Sequence, residues 1–321
     1  MSSPSPDRRS CLLGPLSLAG LLVFVSMATI CAQWCFSRTA DDADWERAAA
    51  AAVEIAEPTD AIRVHPAWLE TPLPHLQPVG NLLHRQQFPL LEELRGIDRF
   101  LILSESRLSD DAVERLPFDA TAEEIHSFDT VDLLEVTVPE TMRVTSDFTD
   151  LLGDATVSYI DSDGDVDDCR RRPGDAGEWR CDGGRNAGTI RPTLLEVEHE
   201  PRRCIQAYPP SDDRFLSIEM TVDDPADILR IRAGLDNRAA RIYRGDDVEY
   251  RLYVDDELVA DERIDGHTSK WTPHDVPTGE SDGAPVAVRL EVESVTPDPH
   301  HRRFCFNGWS LTAGQVQNSN R

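Results

Sequence analysis

Between residues 193 and 313 the chain breaks into short β-like runs, in several of which the apolar residues fall on alternate positions, and this pattern limits what it can fold into more than any other feature. The runs are 194–197, 204–208, 215–222, 228–233, 248–254, 257–261, 286–292 and 303–311. Pro-Pro, Asp-Asp-Pro, Gly-Asp-Asp, Asp-Gly and Pro-Asp-Pro signals separate them. A period of two is that of a strand with one buried face. Leu216, Ile218, Met220 and Val222 share a face, as do Val248, Tyr250, Leu252 and Val254, and Val286, Val288, Leu290 and Val292. Eight such strands with no helix between them predict a two-sheet β-sandwich, for which a jelly roll is the natural eight-strand solution.

The region before it reads differently. Over 60–160 short apolar runs alternate with helical patterns: strands at 61–64, 99–103 and 131–138, helices at 87–94 and 109–116. Strands separated by helices predict a small parallel α/β layer. Such layers hold ligands beyond the carboxyl ends of their strands, here His65, Trp68, Ser104, Glu105 and Ser106. Upstream, 41–57 has acids at its start, an alanine-rich middle and Pro58 after it. That is a helix with a start and a stop, and 37–59 is expected to be a helical stalk.

Residues 12–32 are apolar without interruption, and no charge lies between Arg9 and Arg38. Twenty-one such residues match the length a helix needs to cross a bilayer core. Arg8 and Arg9 precede the stretch and Asp41, Asp42 and Asp44 follow it. The positive-inside bias then puts 1–10 in the cytoplasm, a signal-anchor helix at 11–36, and the rest outside. A cleaved signal sequence is the competing reading, but its apolar core is shorter and ends at a small-x-small site. The formal charge of −27 opposes the counterion-release attraction that nucleic-acid binding needs, so nucleic acid is not an expected partner. The expected chain is therefore an α+β multidomain protein: a transmembrane helix, a stalk, a small α/β domain at 60–160, an acidic disulfide-bearing linker at 161–192, a β-sandwich at 193–313 and a disordered tail at 314–321.

The stretch 234–260 (GLDNRAARIYRGDDVEYRLYVDDELVA), followed by Trp271 and the closing RRFCFNGWSL, resembles the galactose-binding-like jelly rolls. In particular it is similar to the carbohydrate-binding modules that accompany glycosidases, with a Gly-Leu-Asp element before a strand of alternating aromatic and aliphatic residues. Asp256 stands where that family has a turn glycine, and Phe304-Cys305-Phe306 replaces its acidic-aromatic ending. The resemblance implies a sandwich able to hold a sugar, but fold transfers more safely than function. Aromatic rings beside polar groups are how a sandwich rim holds sugars. The expected ligand residues are Asp236, Asn237, Arg241, Tyr243 and Trp271, whereas Trp309 and Trp179 read as packing residues.

Beyond the anchor there are four cysteines, Cys169, Cys181, Cys204 and Cys305. In an oxidising compartment they predict two disulfides, with three possible connectivities. Cys169–Cys181 would close a short polar loop, and Cys204–Cys305 would tie an early strand to the last, which are neighbours in jelly rolls. A zinc site lacks any Cys-x-x-Cys pair to seed it.

Chemistry-bearing motifs are sparse. In 161–168 (DSDGDVDD), Asp161, Asp163, Asp165 and Asp168 offer oxygens at spacings that calcium loops use. The turn glycine and closing acid of an EF-hand are missing, since Val166 and Arg172 occupy those positions. Calcium is thus the one ion the sequence proposes, and no other cofactor is expected. No His-Glu-x-x-His or Gly-x-Ser-x-Gly motif is present. The expected function is non-catalytic binding of a glycan or an envelope protein outside the membrane. The alternatives are a ligand-free assembly subunit of a membrane glycan-processing complex and a hydrolase with its site in the α/β domain.

Overall fold

The computed structural model describes residues 40–77, 86–139, 144–172, 177–181, 188–210, 213–241, 247–278, 284–295 and 302–312, together with Ser26. Apart from Ser26 the expected anchor at 11–36, the two terminal tails and Tyr243 lie outside the described residues. Among the described residues no helix is long and apolar enough to cross a membrane.

The small unit is a four-stranded sheet with both faces covered. Its strands are β1 (Asp60–His65), β2 (Arg99–Glu105), β3 (Glu123–Phe128) and β4 (Val131–Thr137), in the order β1-β2-β4-β3. Only β1 and β2 are parallel; β4 runs against β2 and pairs with β3 as a hairpin. The expected parallel layer is therefore a mixed sheet. The reason is local: Asp129, at φ 51°, and Thr130 form a two-residue turn that returns the chain directly.

The helix Asp42–Ile55 forms where it was expected, capped by the Asp41 side chain, which accepts the Ala43 N–H at 3.2 Å. It is not a free stalk. Its small residues Ala48, Ala49 and Ala52 let it lie close on one face of the sheet, against Ile62, Val64, Leu101, Leu103, Val131 and Leu133, with Trp45 buried beside them. The other face packs Ala61, Phe100, Ile102, Leu134 and Val136 under the helix Ser109–Glu114 and the 3-10 turn Leu91–Leu94. A longer helix at 87–94 was expected. Pro89 removes a donor from its middle, and the chain there is drawn out along the sandwich, with the Gln87 N–H bonded to Glu200 at 2.8 Å and the Gln86 amide to the Pro201 carbonyl at 3.1 Å.

From residue 144 onward the chain is a β-sandwich. One sheet contains β8 (Arg170–Arg171), β9 (Trp179–Arg180), β10 (Thr189–Val197), β11 (Glu200–Ala207), β13 (Ile228–Leu235), β16 (Thr272–Pro277) and β18 (Phe304–Leu311), in the order β16-β13-β18-β11-β10-β9-β8, with β5 (Val144–Asp147) paired to β18. The other contains β6 (Thr156–Asp161), β7 (Val166–Asp168), β12 (Arg214–Val222), β14 (Val248–Val254), β15 (Glu257–Ile264) and β17 (Val286–Ser294), in the order β15-β14-β17-β12-β6-β7. From β12 to β14, and again from β15 to β18, successive strands change sheets. The three alternating faces read from the sequence line the space between the sheets, with Ile205, Ile231, Phe304 and Phe306 facing them from the other sheet and Tyr159 beside them on β6.

Two expected boundaries move. β5 and β6 fall inside the proposed α/β domain but pair with β18 and β12, and the proposed linker at 161–192 supplies β7, β8, β9 and the start of β10. Both disulfides form, Cys169–Cys181 beside the short β8–β9 pair and Cys204–Cys305 between β11 and β18. Trp179 packs against the core and donates its indole N–H to the Leu152 carbonyl at 2.9 Å.

The outer face of the larger sheet is also buried, because the small unit sits on it. Val144, Leu195, Val197, Trp271, Trp309 and the Cys204–Cys305 bridge form a second apolar layer there, with Leu90 packed against it. Around it run ion pairs between the units. Glu92 meets Arg232 and lies 3.7 Å from Arg230, while Glu93 accepts from Arg202 at 2.8 Å. Burial pushes the Glu93 carboxyl up to about 7, against the pull of Arg202.

Candidate functional site

At one end of the sandwich three connections meet: the β10–β11 turn, the segment after β13, and the segment that leads from β15 into β16. β13 ends at Leu235, and Asp236 starts the short helix Asn237–Arg241, whose Ala240 N–H returns to the Asp236 carbonyl at 3.0 Å. The Asp236 carboxylate takes the backbone N–H groups of Arg238 and Ala239. Its Oδ2 is buried with no hydrogen-bond partner, and Arg303 stands 3.7 Å away. Burial pushes this carboxyl upward and Arg303 only partly offsets it.

Asn237 lies beside it, 6% exposed. Its amide nitrogen donates to Glu196 at 2.6 Å and lies 2.9 Å from His199 Nδ1, while its Oδ1 is buried and unpartnered. Glu198 and His199 form the two-residue turn between β10 and β11, both with positive φ, of 54° and 70°. The Ser269 hydroxyl braces the turn, donating to the Leu235 carbonyl at 2.9 Å and accepting the Glu198 N–H at 3.0 Å. Two buried acceptor oxygens on successive residues, Asp236 Oδ2 and Asn237 Oδ1, therefore lack hydrogen-bond donors, and the Asn237 amide nitrogen ties them to the exposed side chains of Glu196 and His199. Groups that carry O–H or N–H donors are what such a pair can take.

The structure thus brings together part of the expected ligand set. Asp236 and Asn237 converge, and Arg241 stands exposed at the far end of their helix. Trp271 does not serve as an open ring. It is 3% exposed, packed beneath Gly234, where a Cβ would come 3.2 Å from its ring and 2.3 Å from the Lys270 carbonyl oxygen. A sugar cannot stack on a buried indole, so this ring supports the site rather than contacting a ligand. Glu196, His199, Ser269 and Arg303 were not foreseen. They come from strands and turns distant in sequence, and the Glu198-His199 turn carries none of the usual Asn-Gly or Asp-Gly signals.

The acidic loop is a hairpin between β6 and β7. Asp161 Oδ1 accepts the backbone N–H groups of Asp163 and Asp165 at 3.0 and 2.9 Å, with Gly164 at φ 87°. Among the described residues no three His, Cys, Asp or Glu side chains gather as a metal-holding group. Asp161, Asp163, Asp165 and Asp168 all lie on this hairpin, and its turn engages Asp161 Oδ1 with its own backbone.

Of the residues expected at the α/β cleft, His65, Ser104 and Glu105 are buried while Trp68 and Ser106 are exposed. His65 is 3% exposed, with Nε2 2.8 Å from Asp111, which also accepts Arg115 at 2.7 Å. Burial lowers the His65 pKa and Arg63 adds to this. Ser104 donates to the Glu105 carbonyl and Ser106 to Asp132, so neither hydroxyl is poised on His65. Open clefts lie elsewhere. One of about 600 Å³ is lined by Phe88, Leu91, Val113, Leu116, Phe118 and Arg232, and one of about 410 Å³ on the outer face of the smaller sheet is lined by Thr156, Glu219, Asp223, Asp256 and Arg289.

No family model and no curated protein matches this chain. Among solved structures it is similar to CBM51 from Clostridium perfringens GH95 in complex with methyl-galactose, at 16% identity over 37% of this chain and 79% of that one, with a TM-score of 0.29. It is also similar to the CBM51-2 and INT domains of Clostridium perfringens ZmpB, at 12% identity over 60% of this chain and 37% of that one, with a TM-score of 0.26. The CBM36-1 domain of a multidomain xylanase from the hindgut metagenome of Trinervitermes trinervoides gives 9% identity over 39% of this chain and 90% of that one, with a TM-score of 0.23. Likeness at this level fixes neither a fold nor a ligand, and the sandwich and its loop end stand on their own strand pairing and hydrogen bonds.

Proposed function

We propose that this chain is a non-catalytic, extracytoplasmic binding protein, anchored by residues 12–32, whose jelly-roll-like sandwich holds a glycan at the loop end built on Asp236 and Asn237. One observation carries the glycan assignment: two buried acceptors on successive residues, Asp236 Oδ2 and Asn237 Oδ1, lack donors. A pair of sugar hydroxyls supplies two such donors, and each bond to a desolvated acceptor is favoured over leaving it unmade. A ligand enters as the exposed His199 and Glu196 side chains turn aside. The two disulfides support the location, because such bonds persist in oxidising compartments.

The test is a glycan array probed with the labelled full chain in detergent. Binding to hydroxyl-rich sugars is the expected result. An array without signal, together with co-purification of a membrane protein, overturns the glycan reading in favour of an assembly subunit.

A further inference from the structure

One end of the small sheet gathers the elements nearest to the expected anchor. β1 and β2 finish there side by side, with His65 opposite Ser104. β4 starts at the same end, Val131 opposite Glu105, just after the Asp129-Thr130 turn. The helix Asp42–Ile55 begins there too. Asp44 accepts from the Thr130 N–H at 3.1 Å and from its hydroxyl at 2.6 Å, and the Asp41 N–H donates to the same hydroxyl at 3.2 Å. Nine residues, 33–41, separate the apolar stretch from this helix. Even fully extended they reach only about 30 Å, so a bilayer spanned by 12–32 holds this end of the small unit close to its surface.

Trp68 lies at that end, three residues past His65 and 70% exposed, more than any other large apolar side chain among the described residues. An indole has an apolar body and one N–H, which is why tryptophan collects at the level of lipid headgroups. Nearby, Arg47 lies 5.7 Å over the Phe128 ring and pairs with Asp44, and Arg107 pairs with Glu105 at 2.7 Å. With these cations matched by acids, and with Asp42, Asp110 and Asp129 also exposed, the described residues at this end form no positive patch to draw it to anionic lipid.

We propose that the end of the small sheet that bears Trp68 rests against the bilayer in which the chain is anchored, with the Trp68 indole among the headgroups. This rests on the anchoring part of the proposed function and not on the glycan part. The contact fixes how the small unit, and the sandwich docked on it, stand on the membrane.

The experiment compares the full chain with Trp68→Phe in phosphatidylcholine vesicles, with and without brominated phosphatidylcholine. Trp34, next to the apolar stretch, is present in both, so the difference reports on Trp68. Both chains are expected to float with the vesicles, and brominated lipid is expected to remove a component of wild-type emission that the variant lacks. Equal quenching of two floating chains overturns the contact while leaving the anchor standing. Failure of both to float overturns the anchor and the contact with it. Phosphatidylglycerol is expected to leave the quenched component unchanged or smaller; an increase would show electrostatic adsorption and contradict an inserted indole.

Discussion

Glu92 of the small unit and Arg232 of β13 form a buried ion pair across 140 residues of sequence. The Arg232 side chain is 10% exposed and that of Glu92 is fully buried, and Arg230 nearby is held by Asp275 through two bonds at 2.7 and 2.8 Å. The pair lies where the small unit covers the larger sheet, so its carboxylate compensates guanidinium groups that are largely withdrawn from water.

Removing that carboxylate is expected to be costly. Glu92→Ala leaves Arg232 buried without a counter-ion, a loss of about 3–5 kcal/mol. Urea unfolding of the variant should show the lowered midpoint, and a change below about 1 kcal/mol would mean the arginines re-pair or reach water.

Glu93 gives the junction a pH dependence of known sign. Its folded pKa of about 7 lies above the ordinary value of 4.5, so the folded state binds the extra proton between these values. Its stabilising effect is full below about pH 4.5 and is lost as pH rises through about 7. His65 works in the opposite sense, because its lowered pKa costs stability as pH falls below the ordinary 6.5. The Glu93 contribution is therefore read as the difference from Glu93→Gln. Wild type should gain on the variant as pH falls from 7 to about 5, and a flat difference in thermal midpoints would contradict the assignment.

Trp271→Ala distinguishes a structural ring from a binding platform. The ring packs with the Cys204–Cys305 bridge and Trp309, so truncation should destabilise by about 3–5 kcal/mol. Calorimetric unfolding measures this; a stable variant that merely lost ligand would restore the sequence-based assignment.

The Cys204–Cys305 bridge closes a separation of 101 residues. Replacing both cysteines with alanine should cost about 4–5 kcal/mol by loop entropy, more than the roughly 3 kcal/mol expected for Cys169–Cys181. Guanidinium unfolding of the two double variants gives the order, and the reverse order would contradict it.

The alternating strands β12, β14 and β17 could be read from the sequence because a period of two with one buried face leaves a direct mark. β16 could not, since Thr272, Pro273, His274 and Asp275 place polar groups on both faces of an edge strand. β5 and β6 lay beyond reach for another reason: nothing local says that Val144 and Thr156 pair with strands more than 50 residues away. The helix at 42–55 was readable from its caps, but its docking was not, because a stripe of alanines looks alike on a free stalk and on a packed face. At the site, Asp236 and Asn237 stood out through the Gly-Leu-Asp-Asn element. Glu196 and His199 arrive by strand pairing, and the burial of Trp271 depends on a layer supplied by the small unit.

The central claim is that a sugar is held by Asp236 and Asn237 rather than by the Trp271 ring. Saturation-transfer NMR with the strongest glycan from the array, on wild type, Asn237→Ala and Trp271→Phe, tests it most directly. The prediction is strong transfer to wild type and to Trp271→Phe, with binding roughly ten- to hundredfold weaker in Asn237→Ala, the scale of about 1.5–3 kcal/mol for an acceptor and its positioned neighbour. Transfer that survives in Asn237→Ala and vanishes in Trp271→Phe would contradict the account.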